Sequence, residues 1–202
     1  MCGIIGYVGY DNATPLLLNG LKKLEYRGYD SAGVAVHTGI NLEVVKTSGK
    51  LQVLSDKLDG GNNLKGRLGI GHTRWATHGK PSEKNSHPHV SMYGKFAVVH
   101  NGIIENYISI KEELLNAGMN LVSDTDTEVI AQLLEFYYDG DILNTISKLI
   151  NKIEGSYALG IVCADKPDEL FAAKKASPLI IGVGKNENFI ASDVTAIVSR
   201  TK

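Results

Sequence analysis

Met1-Cys2-Gly3-Ile4-Ile5-Gly6 opens the chain, and its second residue directs the rest of the reading. A residue as small as cysteine at position 2 usually permits removal of Met1. The mature chain would then begin with a residue that carries both a thiol and a free α-amine. A thiolate is a strong nucleophile. An α-amine with a pKa of about 7.7–8.0 can take up a proton near neutral pH. One residue would therefore supply nucleophile and base together. The plainer reading is an N-terminal cysteine leading into a buried first strand, since residues 3–9 are apolar with glycines.

Working outward, Thr14-Pro15 reads as an N-cap with proline at the first helical position, followed by Leu17, Leu21 and Leu24 at helical spacing. Residues 31–37 and 42–47 read as strands joined through Gly39, residues 50–58 as a short helix, and residues 67–73 as another strand. The polar stretch 76–91 reads as a long loop of the kind that often carries function. Phe96 to Val99 reads as a strand, and Ile104, Ile108, Lys111 and Leu115 mark a helix. Thr125-Asp126-Thr127-Glu128 matches a capping box opening a helix with Val129, Ile130, Leu133, Leu134 and Tyr137 on one face. Ile142, Ile146, Leu149 and Ile153 mark the next helix, and residues 155–192 read as several strands. Strands and helices come in groups. That grouping favours an α+β fold of antiparallel sheets over alternating βαβ units.

The 202 residues suffice for one domain with a substantial core, and 43% hydrophobic with 21% charged residues is an ordinary globular balance. A net charge of −1 with no basic run argues against nucleic-acid binding. No apolar run approaches the ~20 residues of a membrane span, and no signal peptide is visible. Two cysteines, Cys2 and Cys163, fit a reducing cytoplasm better than a disulfide framework. Cys163 lies in an apolar run and reads as an inert strand residue.

Three further clusters bear on chemistry. Gly71-His72-Thr73-Arg74-Trp75-Ala76-Thr77-His78-Gly79 carries the one tryptophan. Its Arg74 could clamp a carboxylate with two parallel hydrogen bonds, or be a surface arginine beside a core tryptophan. His100-Asn101-Gly102 could form an oxyanion hole from the Asn side chain and the glycine N–H, or be a simple Asn-Gly turn. Asp126 could grip a substrate ammonium, or merely complement a helix dipole. Five of the six histidines fall between positions 72 and 100, which makes a metal site through His87-Pro88-His89 conceivable. No HExxH or CxxC spacing supports one, and no metal or cofactor is expected.

Taken in order, Met1 to Gly6, Gly71 to Gly79, His100-Asn101-Gly102-Ile103-Ile104-Glu105-Asn106-Tyr107 and Ser123-Asp124-Thr125-Asp126-Thr127-Glu128 resemble the class II glutamine amidotransferase domain, an N-terminal-nucleophile hydrolase. Glu25-Tyr26-Arg27-Gly28-Tyr29-Asp30-Ser31-Ala32-Gly33 is similar, within that family, to the glutaminase domains of the glucosamine-6-phosphate synthases. The resemblance covers nearly the whole chain. It implies a four-layer αββα sandwich and hydrolysis of the L-glutamine side-chain amide. It implies Cys2 as nucleophile with its own amine as base, and Asn101 and Gly102 as the oxyanion pair. Arg74 would hold the substrate carboxylate and Asp126 its ammonium. Trp75, Thr77 and His78 would lie on a loop closing over glutamine, with Arg27 nearby. The partner it implies is a sugar isomerase domain absent from residues 1–202, which would make this chain a C-terminally truncated piece, monomeric or weakly dimeric, with no nucleic-acid or membrane partner. The alternatives are the same chemistry serving another acceptor, as in amidophosphoribosyltransferase, a histidine-based metalloenzyme, or a catalytically silent interaction module.

Overall fold

The computed structural model of the chain describes residues 2–27, 30–74 and 82–201, with the backbone alone at Arg27. The opening segment forms β1 (Gly3–Val8), which pairs antiparallel with β4 (Leu68–Arg74) on one side and β10 (Asn188–Ala191) on the other. β2 (Ser31–His37), β3 (Leu42–Ser48) and β9 (Ile180–Val183) complete a six-stranded sheet in the order β3-β2-β4-β1-β10-β9. A second antiparallel sheet runs β5 (His89–Val90), β6 (Phe96–Ile104), β7 (Gly155–Cys163), β8 (Phe171–Lys175).

The side-chain alternation of the strands stacks these sheets. On β6, Ala97 and Val99 join Ile4, Ile70, Ala158 and Val162 in a core between the two sheets. Phe96 and Val98 point the other way, onto α4 (Glu128–Tyr137) and its neighbours α3 (Tyr107–Asn116) and α5 (Ile142–Lys152). On β1, Ile4 faces the inter-sheet core, whereas Ile5 and Tyr7 pack with Leu17, Leu21 and Leu24 of α1 (Ala13–Leu24) and with α2 (Leu51–Lys57). The result is helices, sheet, sheet, helices: the αββα sandwich. Both faces of each sheet are covered. The central strands therefore read as unbroken apolar runs instead of alternating ones.

Three local expectations are corrected. α1 starts at Ala13, so Thr14 and Pro15 are its second and third residues; Thr14 Oγ1 donates to the Leu64 carbonyl at 2.6 Å and ties the helix to a neighbouring loop instead of capping it. β6 continues to Ile104, which pairs with Gly155, so α3 begins only at Tyr107. Its buried seam is Ile110 and Leu114, while Ile108 and Leu115 are exposed. Finally, α4 begins at Glu128 with no side-chain cap from Thr127. The Glu128 carboxylate accepts instead from the backbone N–H groups of Val122 and Ser123, at 2.9 and 2.6 Å, and braces the turn that leads into the helix.

Candidate active site

Cys2 immediately precedes β1 in the middle of the six-stranded sheet. The start of that strand is pinned on both sides. Gly3 pairs with Thr73, and the Ile4 N–H donates to Ser192 Oγ at 3.0 Å while the Ser192 N–H donates to the Ile4 carbonyl at 3.0 Å. Asn101 lies on β6 of the other sheet. Its Nδ2 donates to the Cys2 carbonyl at 3.0 Å, so the two sheets are clasped at the candidate nucleophile. Cys2 is partly exposed.

Gly102 follows with φ +125°, and a Cβ there would lie 2.0 Å from the Ser156 carbonyl oxygen of β7. Only glycine fits this backbone, whatever its chemical role. Two residues on, the Ile104 N–H donates to Asp126 Oδ2 at 2.8 Å. Asp126 thus stands in the turn before α4, not in its first turn, and braces the strand that carries Asn101 and Gly102.

On β4, residues 70, 72 and 74 share a face, and Ile70 belongs to the inter-sheet core. Arg74 ends this strand with 5% of its surface exposed, one position beyond the Thr73–Gly3 pair and so at the same sheet end as Cys2. Its carbonyl accepts the Asp30 N–H at 2.8 Å. The structure therefore brings Cys2, Asn101 and Gly102 together, with Asp126 joined to them through Ile104 and Arg74 at the same sheet end. Trp75, Thr77 and His78 and the side chain of Arg27 lie outside the described residues.

The histidine clustering seen in the sequence is real in space but of a different kind. His72, His87, His89 and His100 are all buried. His72 stacks on His87 with ring centroids 4.1 Å apart, and His87 meets His89 edge-on at 4.8 Å. Thr127 Oγ1 lies 2.9 Å from His100 Nδ1 and 3.4 Å from His87 Nε2, and Thr125 Oγ1 lies 3.0 Å from His89 Nε2. His72 Nε2 is 2.9 Å from Asn101 Oδ1 and 3.1 Å from the His100 carbonyl. Burial holds His72 down to about 3, and burial lowers His87, His89 and His100 as well, with the Asp126 charge pulling His100 the other way. These rings are neutral at pH 7. Among the described residues no three His, Cys, Asp or Glu side chains converge to hold a metal ion. Cys163 is fully buried on β7, and burial pushes its thiol up, away from the reactive thiolate. Cys2, Asn101, Gly102, Arg74 and Asp126 were the candidates named from the sequence. The contacts of His72 with Asn101 and of Thr127 with His100 were not anticipated, although the two-residue spacing of His72 and Arg74 on one strand was a signal for their shared face.

Among the described residues no helix is long and apolar enough to cross a membrane. A family profile described as a glutamine amidotransferase domain matches residues 72–199. Over 202 residues the chain is 56% identical to a glutamine–fructose-6-phosphate aminotransferase (isomerizing) of Caldanaerobacter subterraneus subsp. tengcongensis, covering all of this chain and 33% of that protein. It is 53% identical to the enzyme of the same name from Clostridium tetani, again over 33% of its length. The chain thus spans about a third of the curated relatives it matches. Among solved structures, the glutamine phosphoribosylpyrophosphate amidotransferase of B. subtilis, complexed with ADP and GMP, aligns with a TM-score of 0.86 and 28% identity, over 99% of this chain and 44% of that one.

Proposed function

The chain belongs to the glutamine amidotransferase family, and from that premise we propose that it hydrolyses the side-chain amide of L-glutamine through a thioester on Cys2, and that the ammonia serves amination of fructose 6-phosphate in a longer enzyme. The observation that carries the first half is the 3.0 Å clasp from Asn101 Nδ2 to the Cys2 carbonyl, which holds an amide donor against the backbone of the residue that bears the chain's first thiol. The second half is supported by the relatives' names and their 56% and 53% identity.

The steps follow from these positions. With Met1 removed, the Cys2 amine takes the thiol proton and the thiolate attacks the amide carbon. Charge builds on the amide oxygen and is met by Asn101 Nδ2 and the Gly102 N–H; losing one such donor costs about 10²–10³ in rate. The C–N bond breaks as the ammonium of Cys2 protonates the departing nitrogen, which leaves as ammonia. A γ-glutamyl thioester remains. Water, deprotonated by the same amine, attacks it, and glutamate leaves as Sγ recovers its proton. Arg74 would hold the substrate α-carboxylate and Asp126 its α-ammonium, with Trp75, Thr77 and His78 over the bound amino acid and Arg27 nearby. Anchoring both charges of the head group fixes the reach to Cys2 and favours glutamine over the shorter asparagine. A reducing cytoplasm would keep Cys2 as a thiol.

The test is release of glutamate and ammonia from glutamine by protein whose free Cys2 terminus is verified by intact mass. The proposal expects turnover in that protein, none in Cys2→Ala, and near-normal turnover in Cys163→Ala. Turnover that survives Cys2→Ala refutes it. Glucosamine 6-phosphate formed from glutamine and fructose 6-phosphate by residues 1–202 alone would refute the assignment of the sugar step to a further domain.

A further inference from the structure

The steps above leave the buried histidines unused, yet one of them touches the oxyanion donor. His72 Nε2 lies between two oxygens, the His100 carbonyl at 3.1 Å and Asn101 Oδ1 at 2.9 Å. A backbone carbonyl only accepts, so Nε2 carries a hydrogen. That hydrogen settles the Asn101 carboxamide. With Oδ1 toward His72 and Nδ2 toward the Cys2 carbonyl, both contacts pair a donor with an acceptor. Turned over, the amide would set N–H against N–H at His72 and oxygen against oxygen at Cys2.

The ring that does this is itself fixed. The His100 N–H donates to His87 Nδ1 at 3.3 Å, which leaves the His87 hydrogen on Nε2, toward Thr127 Oγ1. His87, so held, stacks at 4.1 Å on His72. Only 1% of the His72 surface is exposed, so no water competes for its Nε2–H.

We propose that His72 is a positioning residue for glutamine hydrolysis: its Nε2–H locks the Asn101 side chain with Nδ2 facing the nucleophile. The inference rests on the glutaminase reading. It predicts a kinetic signature that a packing role lacks, because His72 would act only through Asn101 and only on the charge that develops in the transition state.

The test uses the chain with a verified free Cys2. His72→Phe keeps a ring and removes the donor; His72→Gln places an N–H at the same reach as Nε2. Partial loss of one oxyanion donor should lower kcat about 10- to 100-fold in His72→Phe, with KM changed by less than about threefold as expected for a transition-state contact. His72→Gln should recover most of the loss. In an Asn101→Ala background, His72→Phe should cost less than about twofold, because residues acting as one unit are not additive. An unchanged kcat with a lowered Tm, or an equal loss with and without the Asn101 carboxamide, would overturn the proposal. The imidazole ¹⁵N shifts of the wild-type chain give a readout independent of activity and of variant folding. The Nε2–H tautomer is expected, and an Nδ1–H tautomer would overturn the proposal. Absence of glutamine hydrolysis in the wild-type chain would instead remove the functional reading, a distinguishable failure.

Discussion

Asp126 has an observed backbone contact and a proposed role, which a pair of substitutions can separate. Its Oδ2 accepts the N–H of Ile104, a fully buried residue, at 2.8 Å. Its Oδ1 is 3.5 Å from Thr127 Oγ1, a long contact, and is the oxygen that the proposed function gives to the substrate ammonium. Asp126→Asn keeps an oxygen for Ile104 and loses the charge. Asp126→Ala loses both. Leaving a buried N–H without its acceptor costs about 1–3 kcal/mol. For a chain of this size each kcal/mol moves Tm by about 2–4 °C, so the Ala variant should melt roughly 2–12 °C lower. The proposed charge-assisted contact to the ammonium would be worth about 1.5–3 kcal/mol, or about ten- to a hundredfold in kcat/KM at 1.4 kcal/mol per decade. Both variants should therefore lose kcat/KM for glutamine, while only the Ala variant loses much stability. The assay is kcat/KM and Tm on the same preparations. An Asn variant with wild-type kcat/KM would refute the substrate role and leave Asp126 a brace for β6.

Two further outcomes are expected. Gly102→Ala forces a Cβ to within 2.0 Å of the Ser156 oxygen at φ +125°, so the β6–β7 pairing must shift at a cost of about 1–3 kcal/mol or more; an unchanged Tm by calorimetry would contradict the backbone placed here. The buried histidines make stability depend on pH. Their folded pKa values are depressed, to about 3 for His72, so the unfolded chain binds more protons below its ordinary value of 6.5. Stability is full above about pH 6.5 and falls as pH drops toward 3, by up to about 1.4 kcal/mol per unit for each histidine kept neutral. Urea midpoints measured from pH 8 to pH 4 should fall over that window, and His72→Gln should flatten the slope; a flat wild-type profile would contradict neutral burial.

Much of this was legible in the chain, for reasons that differ by element. β1, β2 and β4 were readable because buried strands are short apolar runs bounded by glycine and polar turns, and β3, a half-buried edge strand, because Val44, Val45 and Thr47 are β-branched. The faces of α1, α4 and α5 were readable because one stripe carries the leucines and isoleucines. The face of α3 was not: Ile104 sits in the same apolar pattern but its backbone is taken by Gly155 of β7, a pairing partner some 50 residues away that periodicity cannot see. Thr14 and Glu128 were misread as caps because both prefer tertiary or turn partners, Leu64 for one and Val122 with Ser123 for the other. Cys2, Asn101 and Gly102 were legible as motifs, but their meeting across two sheets was not. The histidines showed as a cluster in sequence. Their burial and their hydrogen-bond partners, which periodicity cannot show, are what the structure adds.

The proposed chemistry requires Cys2 to be the thiol that attacks glutamine's amide carbon. The direct measurement is covalent capture: treat protein of verified N-terminus with a glutamine analogue bearing an electrophile in place of the amide, then determine intact mass and map the modified peptide. One adduct per chain is expected, on Cys2, in molecules that have lost Met1, with labelling and loss of glutamine hydrolysis rising together and excess glutamine protecting against both. An adduct on Cys163 that tracks the loss of activity, or full activity in chains whose Cys2 is quantitatively modified, would contradict it.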